Sequence, residues 1–121
     1  MARILVVDDA KFIRHMLIRV LREMGHEVVG EAENGRDALA QYRSLKPDLV
    51  TMDITMPDMD GLAALTAILK SDPDARIIMC SALNDKPHVF KALKLGAKDF
   101  ILKPFQQDRV VQAVDNALAR R

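Results

Sequence analysis

The sequence predicts an α/β fold, a central five-stranded parallel sheet with helices on both faces. Three observations carry this. Short apolar runs alternate with stretches of helical periodicity, five times in succession along 121 residues. The first run, Ile4-Leu5-Val6-Val7, is continuously apolar, as in a strand covered on both faces. Each break between segments carries turn or capping residues. Strand–helix alternation of this kind builds parallel sheets through right-handed crossovers.

The elements follow in order. Ile4 to Val7 is the first strand, ending in Asp8-Asp9. Ile13, Met16, Leu17, Val20, Leu21 and Met24 form one stripe of a helix, with Gly25 at its C-terminal cap. Glu27 to Ala32 is the second strand, and Asn34-Gly35 reads as a turn. Ala38, Leu39, Tyr42 and Leu45 mark a helix stopped by Lys46-Pro47. Asp48 to Asp53 is a strand, and Met56 to Gly61 a loop. Leu62, Leu65, Ile68 and Leu69 mark the third helix, broken near Pro73. Arg76 to Ser81 is the fourth strand, and Val89, Phe90 and Leu93 mark a helix capped by Gly96. Asp99 to Lys103 is the fifth strand, and Val110, Val111, Val114 and Leu118 mark the closing helix. For five strands the flavodoxin-like order 2-1-3-4-5 leads, and an eight-fold barrel is excluded by length.

Composition narrows the function classes. The chain carries 18 Lys+Arg against 17 Asp+Glu, a net charge of +1, and is 50% hydrophobic. That balance argues against disorder and against a dedicated nucleic-acid binder. One cysteine and three scattered histidines give neither a disulfide nor a zinc-finger spacing. No apolar run approaches the roughly 18–20 residues of a membrane span, and acids interrupt the start too early for a signal peptide. The expectation is one cytoplasmic domain over residues 1–121 with no membrane and no nucleic-acid partner.

Ligand sites of open parallel sheets lie beyond the carboxyl ends of the strands. There the sequence places Asp8 and Asp9, Asp53, Ser81 and Lys103. Glu31 and Glu33, at the end of an edge strand, read as solvated. Taken singly, each of the five has a bland reading, since an aspartate after a strand is commonly a helix cap. Together they place three carboxylates, a hydroxyl and an ammonium at one edge. Packed carboxylates call for a cation, and a few acids plus water suit Mg²⁺. A hard cation beside a carboxylate is a phosphoryl-transfer device. A carboxylate can itself be the nucleophile, and Asp53, ending the central strand, is best placed. Asp8 and Asp9 would then hold the metal, Lys103 would pair with a phosphoryl oxygen, and Ser81 would donate to another.

The stretches Val7-Asp8-Asp9, Asp53-Ile54-Thr55-Met56-Pro57 to Gly61, Ser81-Ala82 and Gly96-Ala97-Lys98-Asp99-Phe100 to Lys103-Pro104-Phe105 resemble the receiver domain of bacterial two-component response regulators. The likeness spans the whole chain and is greatest to the stand-alone chemotaxis members. It implies that Asp53 is the phosphoacceptor, that Asp8 and Asp9 organise Mg²⁺, and that Thr55 adds a backbone carbonyl. It makes Ser81 the switch hydroxyl, Lys103 the family's lysine and Phe100 the switch aromatic, tyrosine in many chemotaxis members. It also implies a cis Lys103-Pro104 bond. The implied partners are a sensor histidine kinase, a flagellar motor switch protein and a dedicated phosphatase. The protein would be a monomer and no enzyme in the ordinary sense, undergoing only Mg²⁺-dependent self-phosphorylation from phosphodonors and autodephosphorylation. Leu83, two past Ser81, would flank the attacking water and slow hydrolysis.

Other readings fit less well. A haloacid-dehalogenase-type phosphohydrolase would need a second aspartate where Thr55 stands. A P-loop would need Lys-Ser/Thr where Arg36-Asp37 stands. A phosphorelay intermediate and the receiver of a larger DNA-binding regulator remain alternatives. Cys80 reads as a small core hydrophobe, the histidines as surface or cap residues, and Met56 and Met59 as loop packing. Residues 1–83 carry 10 basic and 13 acidic residues, whereas residues 84–121 carry 8 basic and 4 acidic. The last third is therefore expected to meet an acidic peptide.

Overall fold

A computed structural model describes residues 1–82 and 85–119; the expectation for Leu83 lies outside these. Five strands and five helices alternate: β1 (Arg3–Val7), α1 (Lys11–Glu23), β2 (Glu27–Ala32), α2 (Gly35–Leu45), β3 (Leu49–Asp53), α3 (Gly61–Ser71), β4 (Ile77–Ala82), α4 (Lys86–Leu95), β5 (Asp99–Lys103) and α5 (Gln107–Ala119). The sheet is parallel throughout, in the order β2-β1-β3-β4-β5, as expected from the sequence.

Strand periodicity divides the core. Alternate side chains point to opposite faces, so Val50 and Met52 join Ala64, Leu65 and Ile68 of α3 on one side. Leu49 joins Leu17 and Leu21 of α1 and Val110 and Val114 of α5 on the other. The middle strands are almost wholly buried, while the edge strands β2 and β5 are half-exposed, in keeping with the charged residues that the edge strands carry.

Three local readings are corrected. Asn34-Gly35 is no isolated turn: the Asn34 side chain accepts from the Asp37 amide at 2.7 Å and caps α2, satisfying a first-turn N–H. Phe90 does not join the apolar stripe of α4. It is 63% exposed while Val89 and Ala92 are buried, because one residue turns about 100° around a helix. Glu31 is not simply solvated, since it pairs with Arg14 of α1 at 2.9 Å. Elsewhere the punctuation holds: Gly25 and Gly96 take positive φ after α1 and α4, a conformation costly to residues with a Cβ.

At the amino ends of the strands, polar groups find direct partners. The Arg3 amide donates to Asp48 Oδ2 at 2.8 Å, and the Ala2 amide donates to His26 Nδ1 at 3.0 Å. Between α2 and α3, the Tyr42 hydroxyl donates to Asp72 Oδ2 at 2.7 Å. Among the described residues, no helix is long and apolar enough to cross a membrane.

Candidate functional site

The five polar residues expected at the carboxyl ends of the strands all lie there. Asp8 and Asp9 follow β1, Asp53 ends β3, Ser81 is the penultimate residue of β4 and Lys103 ends β5. Asp8, Asp9 and Asp53 each offer a carboxylate oxygen within 4.8 Å of the others. Asp8 and Asp53 are buried, at 1% and 6% exposure, and Asp9 is open to solvent. Lys103 reaches past β4, and its Nζ lies 2.8 Å from Asp8 Oδ2 and 3.2 Å from Asp53 Oδ1.

One ammonium against three carboxylates leaves the pocket short of positive charge. Burial pushes the Asp53 carboxyl up to about 6; the Asp8 charge adds to this, and Lys103 opposes it. Burial works against the Lys103 charge, but Asp8 and Asp53 outweigh it and hold its pKa above the ordinary value. Asp8 divides its oxygens. Oδ1 accepts from the Ala10 amide at 2.9 Å. Oδ2 faces Lys103 at ion-pair distance, yet among the described residues no aligned hydrogen bond reaches it. A buried, under-satisfied carboxylate oxygen beside two more carboxylates fits a hard cation. One open carboxylate suits Mg²⁺, which keeps several of its waters.

The loop after β3 is held by close backbone packing. The Gly61 amide donates to the Ile54 carbonyl at 2.7 Å. A Cβ at Gly61 would stand 2.1 Å from the Asp53 carbonyl oxygen, so only glycine lets α3 begin against the strand that ends in Asp53. Thr55 is exposed in this loop, whereas Met56 is buried and Met59 packs on the core. Cys80 pairs with Asp53 across β3 and β4, and burial pushes its thiol well above the ordinary range, in keeping with a core role.

The matches to known proteins bear on this geometry directly. The family model of the response regulator receiver domain matches residues 4–115. The chain belongs to the receiver domain family. The chemotaxis protein CheY of Thermotoga maritima is 56% identical over 113 residues, covering 93% of this chain and 94% of that protein. Its Bacillus subtilis counterpart is also 56% identical, over 116 residues, covering 96% and 97% respectively. The solved complex of CheX, CheY, BeF3 and Mg²⁺ from Borrelia burgdorferi contains a chain that superposes with TM-score 0.93. That match is 37% identical and covers 98% of this chain and 90% of the other.

Receiver domains bind Mg²⁺ in an acidic pocket, and the Asp8, Asp9 and Asp53 cluster is an acidic group able to hold a metal ion. The Lys103-Pro104 bond is cis, as the resemblance implies. The Ser81 side chain is buried, and its hydroxyl donates to the Ala82 carbonyl at 3.1 Å. Phe100 is half-buried against the α3/α4 side of the core, with the Arg109 guanidinium 5.5 Å from its ring centre. Arg109 also donates to the Phe100 carbonyl and to Asp99 Oδ1, each at 2.7 Å. One participant escaped the sequence reading. Arg14 is buried on α1 and donates to the Asp8 carbonyl at 2.8 Å. Its signal was present: it stands three, four and seven residues before Leu17, Ile18 and Leu21, a cation on the buried stripe.

Proposed function

We propose that this chain is a single receiver domain over residues 1–121 and acts as the phosphorylation-activated response regulator of a bacterial chemotaxis system. The observation that carries the reading is Asp53: a buried carboxylate ending the central strand, 3.2 Å from Lys103 and clustered with Asp8 and Asp9. The CheY relatives, spanned along nearly their whole length, support the chemotaxis assignment over a phosphorelay or a DNA-binding regulator.

Asp8, Asp9 and Asp53, with the Thr55 carbonyl, would hold Mg²⁺. Bound there, the ion supplies neutralisation of the charge that develops on phosphoryl oxygens. The Asp53 carboxylate attacks the phosphorus of a kinase phosphohistidine. The P–N bond breaks as the new P–O bond forms, the electron pair leaves with the imidazole nitrogen, and an aspartyl phosphate results. Lys103, shared between Asp8 and Asp53 before transfer, then pairs with a phosphoryl oxygen as a point charge. The Ser81 hydroxyl exchanges the Ala82 carbonyl for another phosphoryl oxygen. That movement opens room for Phe100 to turn inward from Arg109, and the α4–β5–α5 face changes shape, a two-state element biased by a local charge event.

The output partner is the flagellar motor switch protein, met on this basic last third. A dedicated phosphatase resets the signal; the second protein on the Borrelia relative supports a partner in addition to the kinase. The protein works in the cytoplasm as a monomer. The test is intact mass after incubation with acetyl phosphate and Mg²⁺. Wild type gains one phosphoryl group and Asp53→Asn gains none. No gain in wild type, or an equal gain in the variant, overturns the reading.

A further inference from the structure

Asp8 is fixed at three of its four polar atoms. Its amide donates to the Ala32 carbonyl at 3.0 Å, and its Oδ1 accepts from the Ala10 amide at 2.9 Å. Its carbonyl oxygen accepts from Arg14 Nη1 at 2.8 Å. Only Oδ2 is left to face Lys103 and the acidic pocket. The Arg14 side chain is 11% exposed and is held in turn by Glu31, whose Oε1 accepts from Nε at 2.9 Å. Glu31 itself is tied to α2, where Gln41 Nε2 donates to its carbonyl at 2.6 Å and to Asp37 Oδ2 at 3.0 Å. The planar guanidinium donates in two directions at once, which a lysine ammonium on a flexible stem does less well.

We propose that Arg14 is a positioning residue for the acidic pocket: by gripping the Asp8 carbonyl from the β2 side, it aims Asp8 Oδ2 and the following Asp9 at the cation site. This inference rests on the reading of that pocket as the Mg²⁺ and phosphoryl site. Arg14 donates to the Asp8 carbonyl and to Glu31, not to a carboxylate of the pocket. Its action is through the turn that follows β1. A side chain that orients a metal ligand from behind commonly changes metal affinity by about 10–100-fold.

The test uses the full chain with Arg14→Met, Arg14→Lys and Glu31→Gln, and Tyr42→Phe as a variant perturbed at the far end of the sheet. Mg²⁺ affinity is read by titration calorimetry, stability by urea unfolding, and the amide resonances of Asp9 and Ala10 in metal-free protein by NMR. Arg14→Met is expected to weaken Mg²⁺ binding about tenfold or more. Its phosphorylation rate from acetyl phosphate returns to nearly the wild-type value when Mg²⁺ saturates. Arg14→Lys shifts both amide resonances and weakens Mg²⁺ to a lesser degree. Glu31→Gln, which leaves the carbonyl contact, weakens Mg²⁺ least of the three variants in this network. Tyr42→Phe leaves Mg²⁺ affinity unchanged. Should Arg14→Met fail to fold, Arg14→Lys decides. Wild-type Mg²⁺ affinity and amide positions in a folded Arg14 variant overturn the proposal, as does an equal loss of affinity in Tyr42→Phe. Wild type that neither binds Mg²⁺ nor gains a phosphoryl group overturns the pocket reading itself, and this inference with it.

Discussion

The two ends of the sheet handle polar groups in opposite ways. At the amino ends, the Arg3 amide meets Asp48, the Ala2 amide meets His26 and the Tyr42 hydroxyl meets Asp72. At the carboxyl ends, three carboxylates cluster and two of them share one ammonium, a buried oxygen of Asp8 lacks an aligned donor among the described residues, and the Asp53 carboxyl is held near 6. The first end is satisfied within the chain. The second is left incomplete for something from outside to finish, and natural proteins concentrate such violations at functional sites. Beneath the incomplete end lie the close backbone packing at Gly61 and the Arg14 hydrogen bond to the Asp8 carbonyl.

The sharpest way to break this contrast is to disturb that packing without touching a charge. In Gly61→Ala the new methyl would meet the Asp53 carbonyl oxygen at 2.1 Å and Ile54 Cα at 2.8 Å. Both are backbone atoms, so no flexible side chain can give way. The expected loss is about 3 kcal/mol in urea unfolding, the upper end of overpacking costs. Phosphorylation from acetyl phosphate should fall as well, because Asp53 must move. A stability within about 1 kcal/mol of wild type would show that the loop yields, and that the frame is softer than its contacts indicate.

Much of this contrast was legible beforehand. The fold class follows from the alternation of periods, and the strand order is the flavodoxin-like one expected of five such units. The five site residues followed from one rule, that ligands gather where strands end. What escaped were partnerships set by register. Arg14 and Glu31 are 17 residues apart, and they meet because α1 lies over β1 and β2. Phe90 was misplaced for a different reason. One step along a helix turns about 100°, and with Val89 and Ala92 on the buried stripe of α4 that step carries Phe90 to its exposed flank.

The second prediction concerns the charge at the incomplete end. In metal-free protein the Asp53 carboxyl rises from 3.8 to about 6, with burial the main cause. A fold that raises a carboxyl pKa favours the protonated form, so ionising Asp53 costs stability. That cost is absent below the unfolded value near 3.8, grows as pH rises, and is complete above about 6. Asp53→Asn, neutral and of the same shape, should therefore melt several degrees above wild type at pH 7.5 in EDTA. The gap should close as pH falls toward 4. Saturating Mg²⁺ should narrow the gap at pH 7.5 by stabilising wild type more than the variant. A gap that stays constant from pH 4 to 7.5 would mean that Asp53 charge is not what burdens this end.

The smallest effect is expected at the satisfied end, and that is its value as a contrast. Tyr42 is 6% exposed and its hydroxyl donates to Asp72 Oδ2. Burial, followed by the Asp72 contact, pushes the phenol well above its ordinary range, so it stays a neutral donor at any working pH. Tyr42→Phe keeps the ring in the core and deletes one hydrogen bond. Asp72 is half-buried, and its Oδ1 still accepts from the Asp74 amide at 3.1 Å. No buried charge is stranded, so the loss should be about 1 kcal/mol or less, a few degrees at most in thermal melting. Mg²⁺ affinity and the rate of phosphorylation from acetyl phosphate should match wild type. If this variant instead slows phosphorylation while remaining folded, the two ends communicate through α2 and α3, and the division between a complete end and an incomplete one no longer holds.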